Sequence, residues 1–125
     1  MIFELSQRFY FEAAHTLDRQ IDAAGSRRVH GHTYHAEVTI RGPRDPQTGM
    51  VLDLGWFRRE LETLRTLLDH ALLDDVPGLG APTLENLCAF LAWRLTPVLP
   101  QLARVRVWRE ASGDSCVLHL DRSAD

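Results

Sequence analysis

Val29-His30-Gly31-His32-Thr33-Tyr34-His35-Ala36-Glu37-Val38-Thr39-Ile40-Arg41 is the stretch from which the rest of the chain can be placed. Its residues alternate. His30, His32, Tyr34, Ala36, Val38 and Ile40 share one parity, and Thr33, His35, Glu37, Thr39 and Arg41 take the other. Side chains two apart on an extended strand point the same way. The pattern therefore predicts a strand over about residues 29–41 with one face in a core. The first two histidines continue that face, and imidazoles at i and i+2 can close on one ion. Gly31 between them lets the backbone come close. His35 falls on the polar face and reads as a surface residue.

A second alternating run precedes this one. Phe3, Leu5, Phe9, Phe11 and Ala13 fall on one parity, with Gln7 the exception, and Glu4, Ser6, Arg8 and Glu12 on the other. This predicts a half-buried strand over residues 2–15. His15 shares the apolar parity and ends the strand. One sheet can thus deliver His15, His30 and His32 to one point. Three neutral imidazoles leave the fourth position of a tetrahedral zinc open, the arrangement of a catalytic site. Between the strands, Thr16 to Arg28 shows no period and reads as a long loop. A loop of that length in a compact domain is usually functional.

Gly42-Pro43-Arg44-Asp45-Pro46 ends the second strand. Asp53 is placed to cap a helix. Leu54, Phe57, Leu61, Leu64, Leu67 and Leu68 follow at spacings of three and four, with Arg58, Arg59, Glu62 and Arg65 on the wet face. Asp69-His70 comes at or just after the end of that helix. Asp74 to Gly80 reads as a loop, and Thr83 caps a second helix with Leu84, Leu87, Cys88, Leu91 and Leu95 as its buried stripe. Pro97 and Pro100 end it. Ala103, Val105 and Val107 alternate with Arg104, Arg106 and Trp108, and after a turn Cys116, Leu118 and Leu120 alternate with Val117 and His119. The order ββααββ predicts one α+β domain over residues 1–125, an antiparallel sheet with two helices on one face. Such a sheet has two open edges, so oligomerisation is expected.

The bulk numbers exclude several classes. At 45% hydrophobic and 25% charged residues the chain is ordinary globular material. A net charge of −3 gives no electrostatic footprint for nucleic acid. No apolar run approaches the roughly 20 residues of a membrane span. Arg8 and Glu4 interrupt the N-terminal apolar residues, so no signal peptide is read. Cys88 and Cys116 lie far apart without a C-x-x-C pairing, which fits a reduced, cytoplasmic protein.

Taken in order, Phe11-Glu12-Ala13-Ala14-His15, His30-Gly31-His32, Leu68-Asp69-His70, Asp75-Val76-Pro77-Gly78-Leu79 with Pro82-Thr83-Leu84-Glu85, and Arg109-Glu110 resemble the motifs of the 6-pyruvoyl-tetrahydropterin synthase family. Within it they resemble most the bacterial branch, 6-carboxy-tetrahydropterin synthase. The resemblance spans nearly the whole chain. It implies the T-fold, whose subunits join sheets into a barrel around a tunnel. It also implies a homohexamer of two stacked trimers with sites between subunits.

Position by position, the resemblance implies that His15, His30 and His32 hold zinc. It implies that Asp69 and His70 move protons and that Glu110 anchors the pterin. The chemistry agrees. One carboxylate can accept both the 2-amino group and the ring N–H of a pterin. Zinc can acidify side-chain hydroxyls. A carboxylate beside a histidine orients its ring. Ser26 stands where the family carries a catalytic cysteine, four residues before His30. A hydroxyl is far less acidic than a thiol, whose pKa is about 8.5. Ser26 is therefore a weak base unless zinc or His70 activates it.

The activity implied is a zinc-dependent lyase. It converts 7,8-dihydroneopterin triphosphate to 6-carboxy-5,6,7,8-tetrahydropterin, releasing acetaldehyde and triphosphate, on the route to queuosine. Loss of the cysteine leaves three alternatives open. They are formation of 6-pyruvoyl-tetrahydropterin, side-chain cleavage to 6-hydroxymethyl-dihydropterin, and a non-catalytic protein that binds zinc and pterin.

Overall fold

Alternation builds the sheet where it was expected. Strand β1 runs Phe3–His15 and strand β2 runs His30–Gly42, each within one residue of the predicted span. They pair antiparallel, with Phe3 opposite Gly42 at one end and His15 opposite His30 at the other. Helix α1 is Ala23–Arg27, α2 Leu54–Leu68 and α3 Leu84–Leu95; strands β3, Leu102–Arg109, and β4, Asp114–His119, complete the chain. The four strands lie in the order β1-β2-β3-β4, all antiparallel. This is a computed structural model, and it describes residues 1–120. The last five residues of the domain expected over 1–125 lie outside the described residues.

The two long helices pack on one face of the sheet, as the order of elements predicted. Asp53 Oδ1 accepts from Gly55 N at 2.7 Å and Trp56 N at 3.1 Å, which satisfies two orphan donors and starts α2. Phe57, Leu61, Leu64 and Leu68 are buried; Leu54 and Leu67, expected in the same stripe, are exposed. One residue is about a 100° step on a helix, so Leu67 turns away from Leu68 and off the sheet. Leu54 opens the helix and borders a surface cavity with Phe3 and Met50. Thr83 Oγ1 accepts from Asn86 N at 3.0 Å and caps α3. The core joins Phe11, Tyr34, Val38, Phe57, Leu87 and Leu91 across the layers.

Three further expectations need correction. The segment from Thr16 to Arg28 is not all loop: α1 is one short turn, entered through Asp22 in the left-handed region at φ 54°. Five residues are too few for a hydrophobic period to show. Simple alternation on β3 also fails at its start. Thr39 faces Arg104 while Ile40 faces Leu102, a bulge that takes Ala103 out of register. Leu102 and Val105 are therefore both buried and Ala103 is not. His35, read as a surface residue, is half-buried and stacks on Trp108 with ring centroids 5.3 Å apart.

The end of the sheet that carries the histidines is tied down by the segment after α2. Ala14 N donates to Ala71 O at 2.9 Å and His70 N to Glu12 O at 2.5 Å. The Asp74 carboxylate accepts from Thr16 N at 2.9 Å and also from the Thr16 hydroxyl. Among the described residues, no helix is long and apolar enough to cross a membrane.

Candidate metal centre

The register of β1 and β2 decides the geometry of the histidines. His15 faces His30 directly and Ala13 faces His32, so all three rings leave one end of the sheet on one face. His15 Nε2 lies 2.9 Å from His30 Nε2 and 3.0 Å from His32 Nε2. One ligand atom from each ring falls within 4.8 Å of the others.

What the other ring nitrogens of His15 and His30 do shows that the contact between those two rings is not a hydrogen bond. His15 Nδ1 is 3.1 Å from Pro82 O, and His30 Nδ1 is 2.7 Å from Arg28 O. A carbonyl only accepts, so in both rings Nδ1 carries the proton. Neutral rings so arranged turn Nε2 lone pairs at each other, which repels unless a cation lies among them. Nδ1–H held by a backbone carbonyl is also how metal-bound histidines are oriented. Burial keeps His15, 1% exposed, neutral by lowering its pKa. Burial, then the charge of Arg109, pushes His32 down to about 4. Neutral imidazoles are what a metal requires. The donor set therefore fits a borderline-soft divalent ion such as zinc, with three ligands and an open side.

Asp69 and His70 follow α2, with Asp69 as its C-cap. Asp69 Oδ1 accepts from Glu12 N at 2.9 Å, and Oδ2 lies 2.9 Å from His70 Nδ1 and 3.4 Å from Arg65 Nη2. The Glu12 N–H is the largest of the influences that lower the Asp69 pKa. The carboxylate is thus fixed and charged. His70 is held at φ 59°, in the left-handed region, with its side chain 79% exposed. That backbone is uncommon for a non-glycine residue and marks a functional position in many proteins. His70 and His32 line one open cavity of 630 Å³ with Glu12, Thr33 and Ala71.

A sequence profile of the 6-pyruvoyl tetrahydropterin synthase family matches residues 4–119. The chain belongs to that family. It is 35% identical over 107 residues to 6-carboxy-5,6,7,8-tetrahydropterin synthase of Synechocystis sp., covering 81% of both chains. It is 33% identical over 121 residues to 6-pyruvoyl tetrahydrobiopterin synthase of Homo sapiens, covering 84% of this chain and 83% of that one. The fold matches Caenorhabditis elegans 6-pyruvoyl tetrahydropterin synthase with a TM-score of 0.81 over 97% of each chain, at 23% identity. The T-fold expected from the sequence is the fold observed.

Two residues that the family pattern singled out spend their side-chain hydrogen bonds on groups other than the histidines. Ser26 is 1% exposed. Its hydroxyl donates to Ala23 O at 2.9 Å and accepts from Arg19 N at 3.1 Å, so both of its bonds hold the loop around α1 together. Glu110 is exposed just beyond β3, and its Oε1 accepts from Trp108 Nε1 at 2.8 Å. Trp108 stacks on His35, whose parity is opposite to that of His30 and His32.

Sequence reasoning missed two neighbours of the cluster. Tyr34, fully buried, brings its hydroxyl 3.1 Å from His15 Nδ1, and burial raises its pKa to about 12. Arg109 Nη1 lies 3.2 Å from His32 Nε2. A signal existed for Arg109, because it shares parity with buried Val105 and Val107. A guanidinium at an apolar position is a question the sequence asks.

Proposed function

We propose that this chain is a zinc-dependent lyase that converts 7,8-dihydroneopterin triphosphate to 6-carboxy-5,6,7,8-tetrahydropterin, releasing acetaldehyde and triphosphate. The observation that carries the reading is the meeting of three Nε2 atoms, two of which, those of His15 and His30, are left only lone pairs by their Nδ1 partners. The identity to a 6-carboxy-5,6,7,8-tetrahydropterin synthase supports the product. His15, His30 and His32 would hold the zinc. Bound there, zinc supplies Lewis acidity toward the side-chain hydroxyls. His70 takes the proton, because Asp69 at its Nδ1 leaves Nε2 with a free lone pair. Glu110 accepts the two pterin donors. Ser26 keeps the loop before β2 in place, its hydroxyl bonds both being taken. The protein acts in the cytoplasm, on the route to queuosine, as a homohexamer with sites between subunits.

A second reading keeps the site and changes the product. Relatives of both names lie at similar identity, 35% and 33%. The buried Ser26 also gives this chain no thiol beside the histidines. The alternatives are 6-pyruvoyl-tetrahydropterin, 6-hydroxymethyl-dihydropterin, or binding without turnover. Zinc-loaded protein incubated with 7,8-dihydroneopterin triphosphate, with products identified by mass spectrometry, separates them. Acetaldehyde and 6-carboxy-5,6,7,8-tetrahydropterin are expected. Any other pterin product, or unchanged substrate, would overturn the first reading.

A further inference from the structure

Arg109 is the one charge that β3 brings to the helix-covered face beside the histidines. Val105 and Val107 precede it at the same parity and are fully buried. Its own side chain is 15% exposed. Nη2 donates to Asp114 Oδ2 at 2.7 Å, Nη1 stands 3.2 Å from His32 Nε2, and Nε is buried with no partner among the described residues. The side chain lines a cavity of 560 Å³ with His15, Arg19, Tyr34 and Thr83.

This placement makes poor sense as structure alone. Burying a guanidinium donor without a partner is destabilising, and an apolar residue would continue the Val105, Val107 row at no such cost. The charge also faces a nitrogen that a cation would share, so it opposes that cation. The second difficulty ends if an anion lies against both positive centres, where Nη1 is the donor placed to meet it. Arginine suits that place, because its planar fork of donors matches two-oxygen anions.

We propose that Arg109 is a substrate-binding residue that holds an anionic oxygen at the open side of the three-histidine site. The oxygen is the one left when a hydroxyl of a vicinal-diol or hydroxy-ketone side chain gives up its proton. This rests on the site being the metal centre of the proposed lyase and adds the group that reads the side chain. The same cavity also borders Arg19, so a phosphate tail is the other source of negative oxygen there. The position of Nη1 against His32 favours the oxygen nearest the histidines.

The test uses the full chain loaded with cobalt(II), whose visible band reports the ligand at the open position. Acetohydroxamate, an oxyanion without phosphate, and inorganic triphosphate are titrated separately. Arg109→Met and Arg109→Gln should bind acetohydroxamate at least about tenfold more weakly, the size of one charge-assisted hydrogen bond. Arg109→Lys should fall between them and the parent. All three should keep one cobalt per chain and the parent circular dichroism. Asp114→Asn, which frees Nη2, should bind acetohydroxamate as well as the parent or better.

Unchanged acetohydroxamate affinity in Arg109→Met would overturn the proposal. So would a loss confined to triphosphate, which assigns Arg109 to the phosphate tail. Loss of cobalt or of fold in all three Arg109 variants would make the residue structural. A parent that shows the expected affinities but does not turn over 7,8-dihydroneopterin triphosphate would sink the proposed activity and leave Arg109's role standing. A parent that binds no cobalt would sink both.

Discussion

His32 has a different kind of neighbour on each side: two histidine nitrogens that share its task and one guanidinium that opposes a proton there. If the cluster is a metal site, His32→Ala should lose most of the zinc that the parent holds at one equivalent. Metal analysis that finds equal zinc in both proteins would dismiss the assignment. The metal-free protein should also respond to acid in a definite direction. His32 is held at about 4, mainly by burial, while an unfolded histidine titrates near 6.5. Between those values the unfolded chain binds more protons than the folded one, so stability rises with pH across that window. The urea midpoint of metal-free protein should climb from pH 4 to 6.5, and His32→Asn should flatten the climb. An equally steep climb in the variant would place the cause elsewhere.

Ser26 and His70 give the second contrast at this scale. The Ser26 hydroxyl is buried and doubly bonded, whereas His70 is exposed and keeps one nitrogen free of Asp69. A base must reach its proton, so His70 is the better placed of the two. His70→Ala should abolish turnover. Ser26→Ala should keep activity within about tenfold while losing about 1–3 kcal/mol of stability, because Arg19 N loses its acceptor. Steady-state rates and urea denaturation on the same preparations check both. If folded Ser26→Ala is as inactive as His70→Ala, the serine is part of the chemistry.

At the scale of elements, the strands and helices were legible because their periods are clean and their caps chemical. Asp53 and Thr83 both cap as their positions foretold. Asp53→Ala should therefore cost about 0.5–2 kcal/mol. A melting temperature unchanged in that variant would mean that packing of Phe57 and Leu61 alone sets where α2 begins. What could not be read has a common cause. The bulge at Ala103 and the turn of α1 depend on partners distant in sequence or on single backbone angles, and neither leaves a period. The same holds at the site. Parity on β1 and β2 was enough to bring His15, His30 and His32 together, since the register of a long hairpin follows from its faces. Parity on β3 marked Arg109 as well, but the meaning of that mark depends on Nη1 reaching across the sheet to His32. The sequestering of Ser26 follows from α1, which the sequence did not announce.

For the whole molecule, the face without helices sets the terms of assembly. Arg8 pairs with Glu37 at 2.7 Å, Arg104 reaches the same carboxylate at 3.3 Å, and Ser6 bonds Thr39 at 2.8 Å. Such a face is hydrated or meets polar surface, so it does not supply an apolar interface. Among the described residues the sheet still ends in two edge strands, β1 and β4, with β1 covered only near its histidine end, and such edges invite strands of other copies. Light scattering should then give six times the 14.2 kDa chain mass at micromolar concentration. The same geometry allows sites to be shared. His70 projects outward, 79% exposed, and Glu110 stands exposed beside Trp108, whose parity on the sheet is opposite to that of Arg109. A site that needs both can draw them from different copies. Glu110→Ala and His70→Ala should each be inactive as homomers. Unfolded together and reassembled, they should recover part of the parent activity, because some sites receive Glu110 from one copy and His70 from the other. If the mixture forms hexamers yet stays as inactive as its parents, each site is complete within one chain. If the parent is an active monomer, the edges are capped some other way and the shared site falls with the hexamer.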